Sequence, residues 1–477
     1  MTRDYILLYI NGLRHEVRAG DAALNLSEYL REKLNMKGTK VVCSEGDCGA
    51  CSVLMYRYRC GHEGFVSVNA CIAPLYLLDC CHIVTVEGVR AGEALHPVQA
   101  ALAEHHGTQC GFCTPGFVNS MVYMCDELAR KNRPIDAQQV RNYTTGNLCR
   151  CTGYKGIIEA GLALDLEGYT PLSERYRTEE IAADFEARYA QEVALKDGER
   201  ELILPKTVAE AVRLKKAGYT VISGGTDIAV FVNKGFNKAT KFAALTNIET
   251  LYRIEEGDGA LRVGAMVSLS RVEQACERSF PVFSDALKRF ASPQIKNKGT
   301  LVGNVANGSP IGDSIPFLYV SDAVVGIASA GGVREVVLHD FYLGYKQFDL
   351  KEDEIITHIT IPKKRAEYRF YKVSARKDLD ISAVSLAISY VIEAGIVKAI
   401  SIAYGGVAAT VYKAGELEAF LIGKALTRER VAEAAGMIPA IFTPFSDHRG
   451  SRAYRLKLCE NLLLKFYNEV ALESEVG

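Results

Sequence analysis

The placement of the cysteines constrains this 477-residue chain more than any other feature. Of fourteen, twelve lie between positions 43 and 151, and only Cys276 and Cys459 fall beyond. The densest stretch is "CSEGDCGAC" (43–51), three cysteines spaced C-x4-C-x2-C with glycines at 46 and 49. The opening "MTRDYILLYINGLRHEV" does not read as a signal peptide: Asp4 interrupts its charged end, the apolar run is short, and Asn11-Gly12 makes a turn at once. No uninterrupted apolar run is long enough to cross a bilayer. The expected location is therefore the cytoplasm, where thiols stay reduced. Crowded cysteines there point to local metal sites rather than to a disulfide framework.

At this length several domains are expected. The chain is 48% hydrophobic and 24% charged with a net charge of −1, an ordinary globular balance. Near-neutral charge gives no electrostatic case for a nucleic-acid partner or an anionic membrane. Alternation on both sides of Asn11-Gly12 predicts a hairpin, and Leu24, Leu26, Tyr29, Leu30 and Leu34 have helical spacing. "SVLMYRY" and "FVSVNAC" read as strands. Residues 1–90 thus look like a small mixed sheet with one helix. From 91 to 165 the pattern turns helical, with Pro115 suited to a helix first turn. Between Ser173 and Glu201, 14 of 29 residues are charged, which suggests a surface linker (166–198) carrying one helix. Helix and strand signals then alternate from 199 to 365, and the last part, 366–477, begins in strands and closes with two helices.

Cys43, Cys48, Cys51 and Cys71 have the C-x4-C-x2-C…C spacing of plant-type [2Fe–2S] ferredoxins. Two irons each need two thiolates, so a loop wraps the cluster and a distant cysteine closes it. Gly46 and Gly49 let the backbone approach and aim N–H groups at sulfur. A structural zinc site would use paired short spacings instead. The second set, Cys110, Cys113, Cys149 and Cys151 ("CGFC" and "CRC"), is less specific. Its spacing alone leaves an iron–sulfur cluster, zinc, and a thioredoxin-like pair open. Both of its pairs fall where helices are predicted to begin, so free N–H groups would face an anion.

Two later stretches suggest a phosphate-bearing ligand. "VISGGTDIAV" (221–230) is a strand running into a Gly-Gly turn, and "KNKGTLVGNVANGSPIGDSIP" (296–316) is a second loop rich in Gly, Asn and Ser. Exposed N–H groups in such loops can cradle a pyrophosphate, although the first reads equally as a plain strand and turn. Neither is the Rossmann G-x-G-x-x-G fingerprint.

"CSEGDCGACSV", "SVNACIAPL", "HPVQAALAEHHGTQCGFCTPGFV" and "GNLCRCTGY" resemble the two iron–sulfur domains of the xanthine dehydrogenase/molybdenum hydroxylase family, almost continuously over residues 1–165. The resemblance implies a multidomain α+β chain. Its parts would be a β-grasp [2Fe–2S] ferredoxin domain, a helical-bundle [2Fe–2S] domain, an α+β FAD-binding domain of the vanillyl-alcohol-oxidase/CO-dehydrogenase-flavoprotein type, and a C-terminal α+β domain. It makes all eight cysteines cluster ligands, four per cluster, leaves Cys60, Cys80, Cys81 and Cys125 to packing, and places Gln109 toward a molybdenum cofactor.

The two Gly-rich loops resemble the FAD-binding domain of the same family. The matching positions are Val221, Ile222, Ser223, Gly224, Gly225, Thr226, Asp227 and Ile228, then Thr300, Leu301, Val302, Gly303, Asn304 and Asp313. Phe290, Ile356 and Lys372 match further FAD contacts, though Phe290 reads equally as core and Lys372 as a solvated charge. The chain has Gly-Gly-Thr-Asp where some members have Gly-Asn-Thr-Glu, which keeps the turn and the carboxylate. The nicotinamide site is expected near Tyr345, which reads equally as a packing aromatic, and the "ARKDLD" loop. The chain ends at Gly477, directly after the flavin region, so molybdopterin is expected on a partner large subunit, in a heterodimer that pairs into a heterotetramer. No general acid or base for the hydroxylation is expected here. The resemblance implies that electrons pass from that partner through the second cluster, the first cluster and FAD to NAD+. The partner it implies oxidises hypoxanthine and xanthine; a partner oxidising an aldehyde or another N-heterocycle, an NADH-dependent flavoprotein reductase and a zinc-stabilised binding module are the alternatives.

Overall fold

A computed structural model describes residues 2–90, 92–377 and 379–476, with side chains to residue 472; Met1, Ala91, Asp378 and Gly477 lie outside them. The chain divides into two compact units. One is Met1–Arg253 with Ser292–Thr300, and the other is Ile254–Ala291 with Leu301–Gly477. The cysteine loops and the first Gly-rich loop belong to the first unit, to which the short piece 292–300 returns after the chain has left it.

The first unit opens with the expected hairpin, Tyr5–Ile10 against Leu13–Arg18. Asn11 and Gly12 both take positive φ, +50° and +85°, the mirror-image turn that matches strand twist. Cys81–Val84 pairs in parallel with Tyr5–Ile10, and Ser52–Arg57 and Val66–Asn69 complete a five-stranded sheet. Leu26, Tyr29 and Leu30 belong to its core, which gives the β-grasp arrangement. The expected helix over 24–34 is shorter. A capping box at Asn25 and Glu28 starts it at Leu26, and it widens to a π turn over Tyr29–Lys33.

Four helices follow: Pro97–Glu104, Thr114–Arg130, Ala137–Thr144 and Lys155–Leu162. The longest is buried continuously from Gly116 to Leu128, as a helix apolar on most sides must be. The charged stretch after them is no loose tether. Its helix, Glu179–Tyr189, seats Ile181, Phe185 and Tyr189, spaced i, i+4, i+8, on Leu7, Tyr9 and Cys80. Its end, Glu192–Asp197, is a strand of a second five-stranded sheet, in the order Thr2–Arg3, Glu192–Asp197, Arg200–Leu204, Lys241–Ala244, Thr220–Ile222.

Besides the two-stranded ribbon of Tyr342–Gly344 and Gln347–Phe348, the second unit holds two larger antiparallel sheets. Ile355–Pro362 lies at the centre of one, flanked by Ala260–Gly264 and Val324–Ser329. The other is Glu367–Val373, Val384–Glu393, Ile396–Gly405 and Tyr412–Lys413. Helices Arg428–Ile441 and Arg452–Val476 contribute Val431, Ile438 and Phe466 to the core of that sheet, with Leu386, Ile388 and Tyr404. Among the described residues no helix is long and apolar enough to cross a membrane.

Candidate metal centres and cofactor cradle

The loop carrying Cys43, Cys48 and Cys51 bends through three left-handed residues, Ser44, Gly46 and Gly49, at φ of +56°, +76° and +68°. This curls the backbone so that the N–H groups of Glu45 and Asp47 donate to Cys43 Sγ at 3.5 and 3.4 Å. Asn69 Nδ2 holds the Gly46 carbonyl at 2.6 Å, and the short turn after Asn69 delivers Cys71. Each of the four sulfurs comes within hydrogen-bond reach of at least one other. Cys43 is held far below the usual thiol range by Cys48 and then Cys71, which are themselves pushed up. Cys51 pairs with Cys71, which lowers it against the effect of burial.

In the second set the Cys110 and Cys151 sulfurs lie 3.5 Å apart, and Cys113 bonds to Cys149. Burial, then Cys149, raises Cys113 to about 12. Burial also pushes Cys149 up, but the Thr152 hydroxyl at 3.1 Å and the Thr152 N–H at 3.5 Å outweigh it and hold the thiol low. Cys113 caps the helix Thr114–Arg130, as expected; Cys149 and Cys151 instead precede the left-handed residue Tyr154, which caps Lys155–Leu162. Cys110, Cys151 and Gln109 are exposed. Cys60, Cys80, Cys81 and Cys125 are buried, and no described cysteine is in a disulfide.

Among the described residues no three His, Cys, Asp or Glu side chains are arranged to hold a single metal ion. In the first set the contacts run from Cys48 to Cys43 to Cys71 to Cys51, and in the second Cys110 meets Cys151 and Cys113 meets Cys149. Two thiolates per iron is the ligand demand of a dinuclear cluster, so the donor sets fit that group.

A buried polar network locks the two loops together. The Gly49 carbonyl accepts from Ser52 Oγ at 2.7 Å and Asn147 Nδ2 at 3.0 Å. Gln294 Nε2 donates to Ser52, Ser120 and Asn147. A Cβ on Gly49 would overlap the Gly146 carbonyl, and one on Gly116 would overlap the Gly49 carbonyl.

The first Gly-rich loop leaves the strand Thr220–Ile222, which carries Val221, and turns at left-handed Gly225 into the helix Thr226–Asn233, which holds Asp227 and Ile228. Ser223 Oγ lies 3.1 Å from Thr300 Oγ1, and Gly224 packs so closely on the Lys298 carbonyl that a Cβ would not fit. Thr300 and the 221–228 loop are thus brought together within the first unit. That leaves a backbone cradle suited to an anionic phosphate group at a helix start.

Leu301, Val302, Gly303 and Asn304 begin a helix of the second unit, where Asn304 accepts from Ser314 at 2.6 Å. There Asp313 accepts from Ser382 at 2.6 Å and from Lys372 at 2.7 Å; Lys372 also reaches the Arg289 carbonyl, beside half-buried Phe290, at 3.4 Å. Lys372 is therefore a buried ion-pair partner and not a solvated charge. Ile356 is buried on the strand Ile355–Pro362. Tyr345 is 61% exposed at a strand turn, so it is no packing residue; Asp378 of the "ARKDLD" loop lies outside the described residues.

Three polar side chains escaped the sequence reading. Besides Gln294, Asn233 Nδ2 donates to the carbonyls of Ser44 and Cys71, both at 2.9 Å. Lys298, whose amine burial and then Arg57 lower to about 7, donates to the carbonyls of Ile72 and Gly224. Only a lysine inside a Gly-rich loop, and a Gln and an Asn among apolar residues, could have signalled them.

Residues 85–162 match a [2Fe-2S] binding domain, 198–364 the FAD binding domain in molybdopterin dehydrogenase, and 369–470 the CO dehydrogenase flavoprotein C-terminal domain. The chain is 31% identical to xanthine dehydrogenase 1 of Arabidopsis thaliana, over 97% of this chain and 39% of that protein. It is 30% identical to the xanthine dehydrogenase/oxidase of Mus musculus, over 98% and 39%. The chain thus spans about two fifths of the curated relatives it matches. Among solved structures, quinoline 2-oxidoreductase from Pseudomonas putida 86 aligns at a TM-score of 0.53 and 27% identity, covering 57% of this chain and 96% of that one. Carbon monoxide dehydrogenase from Hydrogenophaga pseudoflava aligns at 0.53 and 27%, covering 55% and 94%.

Proposed function

The chain belongs to the molybdenum hydroxylase family, as its iron–sulfur and FAD-binding part, and we propose that it is the electron-transfer subunit of a xanthine dehydrogenase of the bacterial type. The observation that carries this is the gathering of eight thiols into two sets of four in the compact unit that also holds the Ser223–Gly225 cradle. Cys43, Cys48, Cys51 and Cys71 would hold one [2Fe–2S] cluster, and Cys110, Cys113, Cys149 and Cys151 the other. Ser223, Gly224, Gly225 and Thr300 would hold the FAD pyrophosphate. The domains in this reading are 1–90, 91–165, the connection 166–198, 199–365 and 366–477. When bound, the clusters supply one-electron relays, and FAD converts single electrons to the pairs that NAD+ takes up.

The chain's own residues account for the rest. The N–H groups of Glu45, Asp47 and Thr152 favour thiolates, the form that binds metal. The Asn147 network fixes one cysteine loop on the other, and substrate hydroxylation belongs to a partner that carries molybdopterin. The matches to xanthine dehydrogenases along nearly the whole chain favour a purine substrate. The quinoline and carbon monoxide enzymes among the structural neighbours support a second reading, the same subunit serving another substrate. The test is purification with the neighbouring gene products. About four irons and one FAD per chain, a molybdopterin partner and xanthine-dependent NAD+ reduction are expected. Colourless, zinc-containing protein without such a partner would refute the reading.

A further inference from the structure

Lys298 links the two cofactor regions of the first unit through one ammonium group. It stands in the returning piece Ser292–Thr300, and its side chain is buried. Nζ donates to the Ile72 carbonyl at 3.2 Å, one peptide after Cys71, and to the Gly224 carbonyl at 2.8 Å, in the middle of the cradle. The backbone around it is equally tied down. Gly224 rests on the Lys298 carbonyl, and Ser223 meets Thr300. A buried lysine ordinarily has a carboxylate partner, because an unpaired buried charge is costly. Among the described residues Lys298 has none; its Nζ donates to two carbonyls, and the groups that act on it electrostatically are Arg57, a second cation, and then the buried Cys81 thiol. The missing negative charge has two sources in the proposed function: thiolate-bound iron on the Cys71 side and the FAD pyrophosphate on the Gly224 side.

We infer that Lys298 is a positioning residue shared by both cofactors: it fixes the Cys71 arm to the phosphate loop and places one positive charge between that arm and that loop. This rests on the cluster and FAD reading above. A cation close to an anionic cluster favours its reduced form, since net charge and hydrogen bonding set cluster potentials. A cation behind the phosphate loop favours pyrophosphate binding.

The test compares Lys298→Met, which keeps the stem and removes charge and donors, with Lys298→Arg, which keeps both. EPR-monitored redox titration and FAD titration are run on the purified protein. In Lys298→Met the one-electron reduction constant of a single cluster, the one whose signal disappears in Cys51→Ser, should fall about tenfold, which is about 59 mV. The other cluster should stay at its wild-type value, FAD binding should weaken about tenfold, and Lys298→Arg should restore most of both. A merely structural lysine would lower the melting temperature and leave the potential in place. Unchanged potential and FAD affinity in Lys298→Met would overturn the inference. Lys298→Gln is judged by the same criterion if the Met variant does not fold. Wild-type protein without two [2Fe–2S] signals would instead remove the cluster reading, and this inference with it.

Discussion

The backbone N–H of Leu148 donates to the carbonyl of Cys48 across 3.0 Å. One cysteine loop is therefore hydrogen-bonded to the other at a point adjacent to Cys149. Around that bond the Gly49 carbonyl is filled by Ser52 and Asn147, and Gly49 and Gly116 allow backbone contact where no Cβ fits.

Gly49→Ala should therefore act on both loops. Its φ of +68° already disfavours a side chain, and the added carbon would meet the Gly146 carbonyl and Asn147. Destabilisation of roughly 2–4 kcal/mol is expected, with iron lost from both cysteine sets. Urea unfolding and iron analysis check this; wild-type values in both would contradict the account of the loop contact.

Cys51→Ser should remove one cluster only. Iron should fall from about four to about two per chain, with FAD retained and xanthine-dependent NAD+ reduction abolished in the assembled enzyme. Steady-state activity near wild type would show that this cysteine set is not on the electron route.

In the second unit Lys372 and Asp313 form an ion pair at 2.7 Å with both side chains almost fully buried. Lys372→Met leaves a buried carboxylate with Ser382 alone, which should cost about 3–5 kcal/mol. Lys372→Met with Asp313→Leu should recover a good part of that loss in chemical denaturation. Equal stability of the single variant and wild type would mean that the pair is solvated in solution.

Acid should destabilise the first unit through His82. Burial lowers its pKa from 6.5 to about 4, and its Nε2 accepts the Gly12 N–H. The folded state therefore binds fewer protons than the unfolded one. This contribution is complete above about pH 6.5 and disappears as pH falls toward 4, a loss on the order of 3 kcal/mol. His96, also lowered to about 4 by burial, has the same sign, whereas Asp126, raised to about 6 by burial, opposes it over part of the range. His82→Gln should flatten the fall in urea midpoint between about pH 7.5 and about pH 4.5. An unaltered slope would assign the acid sensitivity elsewhere.

Local chemistry was the legible part of the sequence. The Asn11-Gly12 turn, the strand at 220–222 and the helix beginning at Thr114 all follow from short-range rules, and each stands where those rules put it. The 43–51 spacing is a ligand demand written within one loop, whereas the second set joins Cys110 and Cys113 to the distant Cys149 and Cys151, and its spacing alone left several sites open. The helix at Glu179 was legible, but its anchoring was not: its charges hide the Ile181, Phe185, Tyr189 stripe. Gln294, Asn233 and Lys298 make their bonds across sequence separations of more than seventy residues, so nothing near them announces a role. The return of Ser292–Thr300 to the first unit is a property of tertiary packing alone.

The strand Thr2–Arg3 runs beside Glu192–Val193 and sits at the edge of the sheet that carries the cradle. Thr2 and Arg3 thus dock only after the chain has been made as far as Glu192 and Val193, so this unit cannot finish folding in the order of its synthesis. The same pairing limits how the chain can be dissected. A fragment holding only the cysteine-bearing part would leave Thr2–Arg3 without a neighbour. A fragment starting after it would expose Glu192–Asp197 as a bare edge, open to pairing with other chains. Excising either as an interchangeable cassette would also discard Gln294 from the network beside Gly49. What looks in linear order like a string of modules is, in this unit, one interleaved body.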